Sequence, residues 1–283
     1  MSEAHQRRIW LCADDYGISP AVSAAIRDLI ARRRINATSV MVGTASFSQA
    51  EAAALLDAAA AGAAIGLHVT LTAPFAPLSR GFAPVRHGAF LPLAAMAGRA
   101  LIHALDPALL RAEIANQFAA FRAAFGRAPD YVDGHQHIHV FPQIGEALLR
   151  IVTEAAPQAL PTSFWVRQCA RPASARKSLA DPKGFVLDGL SRRFRRLATQ
   201  QGVHTNPAFA GTYSFRPGAD FESLFPGFLD HLPDGGVVMC HPGKVDAELR
   251  RLDPLTDLRE REYAYFLAGD FPRLLAAHGV ALA

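Results

Sequence analysis

The stretch Ile9-Trp10-Leu11-Cys12-Ala13-Asp14-Asp15-Tyr16-Gly17-Ile18-Ser19-Pro20 decides how the rest of the chain is read. The apolar run Ile9 to Ala13 reads as a buried strand that ends on two carboxylates. Tyr16 to Pro20 then reads as a turn, with Ser19 as helix N-cap and Pro20 as the first helical residue. A helix is therefore predicted from about Ala21 to Arg33. A buried strand, a polar edge and a capped helix make one βα unit.

The same alternation recurs downstream. Strands are predicted near Ala37–Val42, Ala64–Val69, Tyr131–His135, Phe164–Gln168 and Gly236–Cys240. Helices are predicted near Ser48–Ala60, Pro107–Phe125, from Pro142 onward, near Leu187–Gln200, over Asp220–His231, and as one long last helix over Asp257–His278. Short apolar runs alternating with amphipathic stretches argue for an α/β fold with a mainly parallel sheet. Residues 73–106 are too long and too rich in Pro and Gly for a simple βα loop, and read as an insertion over one face of a barrel. The 171–215 stretch yields only the helix near Leu187–Gln200 and otherwise loops. With no internal repeat, one domain over 1–283 is the simplest count.

Composition narrows the function classes. The chain has 283 residues, 51% of them hydrophobic and 19% charged, which is globular rather than disordered. No apolar run reaches the roughly 20 residues that span a bilayer. The N-terminus enters a strand with no signal-peptide core, so a cytoplasmic protein is expected. A net charge of +4 is modest for this length. The basic clusters Arg32–Arg34 and Arg192–Arg196 carry neither interleaved aromatics nor a nucleic-acid motif, so no nucleic-acid partner is expected. Peripheral contact with an anionic membrane surface and homo-oligomerisation are left open. Cys12, Cys169 and Cys240 lack CxxC spacing, which argues against disulfides or a Cys-rich zinc site and for structural roles.

The chemistry lies where strands end. Asp14-Asp15, His68, His135 and His241 each fall at or near the C-terminal end of a predicted strand, the rim where α/β barrels assemble their sites. Adjacent carboxylates repel, so a buried Asp-Asp pair needs a cation, a proton or strong hydrogen bonds. Taken alone it also reads as an exposed turn, but Ser19 already supplies the cap. In Asp133-Gly134-His135-Gln136-His137-Ile138-His139, strand alternation would put His135, His137 and His139 on one face. Such a row suits a metal site with supporting donors, or a satisfied polar cluster. His68, beside Gly66, reads by itself as a structural histidine. His241, between an apolar strand and Pro242-Gly243, suits a general acid or a plain turn residue.

Ala13-Asp14-Asp15-Tyr16-Gly17, Gly66-Leu67-His68 with Leu71-Thr72, the Asp133–His139 segment and Cys240-His241-Pro242-Gly243 together resemble the YdjC-like carbohydrate deacetylases. That family includes chitooligosaccharide deacetylases and deacetylases of hopanoid biosynthesis. The resemblance runs from about Arg8 to Phe266 and implies a distorted, TIM-like (β/α) barrel related to the polysaccharide deacetylases. It implies that Asp15, His68 and His135 are ligands of one divalent metal, zinc or magnesium foremost, with manganese, iron or cobalt as further candidates. Asp14 would be the base and His241 the acid. His137 and His139 match family positions as supporting or substrate-binding residues. Arg167 and Arg259 are assigned to orienting the acidic groups or the substrate. Tyr16 stands where Phe is usual, a change not expected to remove activity.

The reaction this implies is removal of an N-acetyl group from an amino sugar in an oligosaccharide or glycolipid. Two rivals remain at this stage. One is a metal phosphoesterase on a similar barrel, which would gather ligands for two metals. The other is a non-catalytic barrel that binds a sugar or a lipid headgroup.

Overall fold

The computed structural model describes residues 6–154, 160–172, 182–216 and 218–283. The first five residues of the N-terminal reading, and positions 173–181 of the 171–215 stretch, lie outside the described residues.

The chain opens with β1 (Arg7–Tyr16), α1 (Pro20–Ala31), β2 (Ala37–Val40), α2 (Gln49–Ala58) and β3 (Ala64–Val69). Within the 73–106 stretch follow a hairpin of β4 (Val85–Arg86) and β5 (Ala89–Phe90), then α3 (Leu93–Leu101). Next come α4 (Pro107–Phe125), β6 (Tyr131–Gly134), α5 (Pro142–Glu154), β7 (Trp165–Val166), α6 (Pro182–Gln200) and β8 (Phe209–Ala210). The chain ends with α7 (Phe221–Leu229), β9 (Val237–Cys240), α8 (Ala247–Leu252), α9 (Asp257–Leu267), α10 (Phe271–Ala277) and β10 (Val280–Leu282).

The main sheet is parallel, in the order β7-β6-β3-β2-β1-β9-β8, and β10 pairs with the start of β1. It curls into a distorted barrel whose outer strands meet along an irregular seam. There Val166 donates to the His204 carbonyl at 2.9 Å, and Phe209 donates to that of Ala170 at 3.1 Å. Asn206 fills the gap by accepting from the Gln168 N–H through Oδ1 at 2.7 Å. A side chain thus replaces ladder bonds where β7 and β8 are too short to pair.

The N-cap reading of Ser19 holds, its hydroxyl accepting from the Val22 N–H, with Pro20 at the first helical position. Gly66 permits a close approach of β6, since a Cβ there would sit 2.4 Å from the Tyr131 ring. Among the described residues no helix is long and apolar enough to cross a membrane.

Two expectations are corrected. The last helix is not continuous: it breaks into α9 and α10 around Gly269 and Pro272, local stop signals that the apolar pattern masked. The histidine row is not a strand either. β6 stops at Gly134, and His135–Val140 form short helical turns with Gln136 at φ 54° and His137 at φ 57°. The three imidazoles therefore do not share a strand face.

Candidate active site

β1 delivers both carboxylates. In a regular strand Asp14 and Asp15 would face opposite sides. Asp15 instead has φ 68°, and the pairing of β1 with β2 slips between Ala13 and Tyr16. This irregularity, of the kind a β-bulge makes, re-aims a side chain at a strand end and turns both carboxylates toward the rim. His68 comes from β3, His135 from the residue after β6, and His241 from the residue after β9. Asp14, Asp15, His68 and His135 are all buried.

Asp15 sits at the centre. Its Oδ1 lies 3.2 Å from His68 Nε2 and 3.0 Å from His135 Nδ1. Its Oδ2 accepts from Arg259 at 2.6 Å and lies 4.0 Å from His241 Nε2. Arg259, fully buried, also donates to Asp253 at 2.6 Å. Burial opposes charge on Asp15, yet Arg259 and His135 hold its carboxyl well below the usual range. Asp15, His68 and His135 each offer one donor atom, all within 4.8 Å of one another.

Asp14 occupies a different corner. Arg167 grips it as a two-point fork, at 2.7 Å to Oδ2 and 2.8 Å to Oδ1. Ser39 Oγ donates to Oδ1 at 3.2 Å, and the Cys12 thiol lies 3.5 Å from the same atom. Among the described residues Oδ2 accepts only from Arg167, which leaves it a free lone pair. Burial works against the charge, but Arg167 keeps Asp14 ionised, far below its ordinary titration range. Arg167 is itself fully buried.

The histidines divide by surroundings. Burial disfavours a proton on His68, but Asp133, 2.6 Å from its Nδ1, raises its pKa to about 10. His139 lies behind the site, where its Nε2–H donates to the Arg167 carbonyl at 2.8 Å and burial pushes its pKa down to about 3. His137, half-buried and likewise lowered to about 3 by burial, stands edge-on to Phe209 with its Nδ1 3.6 Å from the Cys169 thiol. Burial also lowers His241, with Asp15 pulling the other way. The backbone N–H of His241 donates to Glu262, and its ring packs edge-on against Phe215 at 5.4 Å. The 73–106 stretch reaches the cluster through Phe75, edge-on to His135 at 5.5 Å.

The structure thus brings Asp14, Asp15, His68, His135, His241, Arg167 and Arg259 together, with His137 beside them and His139 in support. Sequence reasoning missed Asp133, Ser39, Cys12 and Glu262 as neighbours of this group. Asp133 had a signal, since it opens the segment that contains His135. Glu262, on α9, accepts from Tyr213 at 2.6 Å and is raised to about 7 by burial, but nothing in its local sequence marks it. The hydroxyl of Tyr16 is bonded to Glu51 at 2.9 Å and to Arg27 at 2.7 Å rather than to the acid–histidine group.

A family model described as YdjC-like protein matches residues 8–277. A chitooligosaccharide deacetylase of Serratia marcescens is 29% identical over 245 residues, covering 84% of this chain and 82% of that protein. A carbohydrate deacetylase of Mus musculus is 31% identical over 182 residues, 58% of this chain, and that match spans only 56% of the mouse protein's length. Among solved structures, a protein of Enterococcus faecalis V583, described provisionally as a cellobiose-phosphate cleavage protein, superposes with a TM-score of 0.72. It covers 98% of this chain and 97% of its own at 19% identity, a likeness of fold.

Proposed function

The chain belongs to the YdjC-like family, and on that premise we propose that it is a metal-dependent carbohydrate deacetylase acting on an N-acetylated amino sugar. The observation that carries the reading is the separation of two adjacent carboxylates. Asp15 is shared with His68 and His135, while Asp14 is fixed by Arg167 beside them.

The donor set suits one divalent cation. Ligand atoms about 2.1 Å from such an ion stand about 3.0–3.4 Å apart, and Asp15 Oδ1 lies 3.2 Å from His68 Nε2 and 3.0 Å from His135 Nδ1. Asp14, Asp15 and Asp133 are buried with Arg167 and Arg259, and the third positive charge comes from a proton on His68, which a bound cation would replace. Two imidazoles and a carboxylate favour zinc, and the oxygen ligand also accommodates magnesium, manganese, iron or cobalt. The second acidic group, Cys12, Asp14 and Asp133, is already bridged by the Arg167 guanidinium. This favours a one-metal hydrolase over a two-metal phosphoesterase.

Asp15, His68 and His135 would hold the ion, whose chemistry there would be Lewis acidity toward the acetyl carbonyl and a lowered pKa of water. Asp14, kept ionised by Arg167 and with a free lone pair on Oδ2, accepts the proton of the attacking water. The water oxygen bonds to the acetyl carbon, and the bond from that carbon to the sugar nitrogen breaks. The proton taken up by Asp14 passes to the departing amine by way of His241, whose Nε2 faces Asp15 across 4.0 Å. Acetate and a free amino sugar result. Arg259 holds Asp15 in place by pairing its second oxygen.

The test is acetate release by metal-stripped protein with zinc, magnesium, manganese, iron or cobalt restored in turn. Chitooligosaccharides come first, followed by N-acetylated glycolipids. Metal-dependent acetate release is expected from at least one substrate. Binding of these glycans without acetate release under any metal would replace the deacetylase with a non-catalytic sugar-binding barrel.

A further inference from the structure

We propose that Asp133 is a positioning residue that couples the metal-binding corner to the Asp14 corner, each of its two oxygens orienting one side. The proposal rests on the deacetylase reading above and adds a residue to it. β3 and β6 pair in parallel with His68 opposite Asp133, so register alone brings the two side chains together. Asp133 is fully buried, and a buried carboxylate is tolerated only when its oxygens are matched. Its Oδ1 lies 2.6 Å from His68 Nδ1, and its Oδ2 lies 2.6 Å from an Arg167 terminal nitrogen. The second contact is a close ion pair rather than an aligned hydrogen bond.

Each contact has a consequence for one corner. An imidazole whose Nδ1–H is given to a carboxylate keeps only Nε2 as a ligand atom, and the partner raises its basicity. Nε2 of His68 is the atom that faces Asp15 Oδ1, at 3.2 Å. On the other side, the Arg167 nitrogen held by Asp133 is the same one that donates to Asp14 Oδ1 and to the Cys12 sulfur, both at 2.8 Å. Asp133 therefore anchors the fork that fixes Asp14.

The next residues hold the other end of Arg167. A Cβ on Gly134 would sit 2.9 Å from His139 Nδ1, and His139 donates to the Arg167 carbonyl. Asp133 and Gly134 thus help to fix both the side chain and the backbone of one arginine. Ser39 Oγ also spans the two corners, 3.0 Å from His68 Nδ1 and 3.2 Å from Asp14 Oδ1, but among the described residues Asp133 alone joins His68 Nδ1 to Arg167 with a charged group.

Asp133→Asn in the full chain tests this, since it keeps the shape and removes the charge. Zinc affinity is measured by competition calorimetry on stripped protein, and kcat and KM on a substrate that the wild type deacetylates. The expected result is zinc binding weaker by about 10–100-fold. With zinc saturating, kcat is still expected to fall by about tenfold or more while KM stays within about twofold. Unchanged zinc affinity, or a kcat restored fully by saturating zinc, overturns the coupling.

A second measurement needs no variant. Nitrogen-15 NMR of the zinc-loaded wild type should show His68 Nδ1 protonated and hydrogen-bonded, with Nε2 on the metal. An unprotonated or metal-bound Nδ1 overturns the proposal. If the wild type binds zinc but deacetylates nothing, the functional reading fails, while the affinity and NMR measurements still decide the role of Asp133.

Discussion

Asp14 and Asp15 are neighbours on one strand, yet one guanidinium fixes the first at two points while two imidazoles and a second arginine divide the other. The Asp14 corner is closed: Arg167, Ser39 and Cys12 hold one carboxylate in a single orientation. The Asp15 corner is adaptable, because His68 and His135 are nitrogen donors whose lone pairs can turn to a cation. Buried carboxylates of equal intrinsic chemistry thus acquire different capacities from their partners. On the proposed reading, one is a fixed anion beside the reacting water and the other is one member of a ligand set.

The largest break in this comparison is expected from Asp15→Ala. It removes the oxygen shared by His68 and His135 and leaves Arg259 with only part of its pairing. Metal content after desalting should fall from about one per chain to near none, and acetate release should drop by about 10³-fold or more. Retention of stoichiometric metal would remove Asp15 from the ligand set.

Arg167→Lys acts on the other corner. A lysine keeps the charge but cannot reproduce the two-point fork. Acetate release at saturating substrate should fall by about 10²-fold, with metal still bound when zinc is supplied in excess. Full activity would mean that Asp14 needs charge nearby but no fixed direction.

The smallest effect belongs to Glu262, beneath His241. Its folded pKa is about 7 against an ordinary 4.5, because burial disfavours the carboxylate. At the acid end both folded and unfolded states hold the proton. As the pH rises, the unfolded chain loses it first, so this favourable contribution fades and is gone once the pH passes the folded pKa. The cost reaches about 3 kcal/mol. Glu262→Gln should make the decline in Tm from about pH 5 to about pH 8 shallower by a few degrees. An identical slope would show that Glu262 stays ionised throughout.

Much of this frame was legible from local signals. Apolar runs placed β1, β3, β6 and β9, and a rim residue follows or ends each of them. Ser19 and Pro20 fixed the start of α1 through capping chemistry alone. What escaped depended on tertiary demand. The left-handed backbone at Asp15, Gln136 and His137 occurs in residues that do not require it, so no residue type announces it. Without those turns the histidine row looked like a strand. The role of Asp133 depends on the register of β3 against β6, and the burial of Glu262 on how α9 packs; neither is a property of its own segment.

The division of labour between the two aspartates is tested most directly by Asp14→Asn, with metal content and acetate release measured on the same preparation. Metal at about one per chain with acetate release lower by about 10²–10⁴-fold is the expected result. Acetate release near the wild-type rate with the metal bound contradicts it.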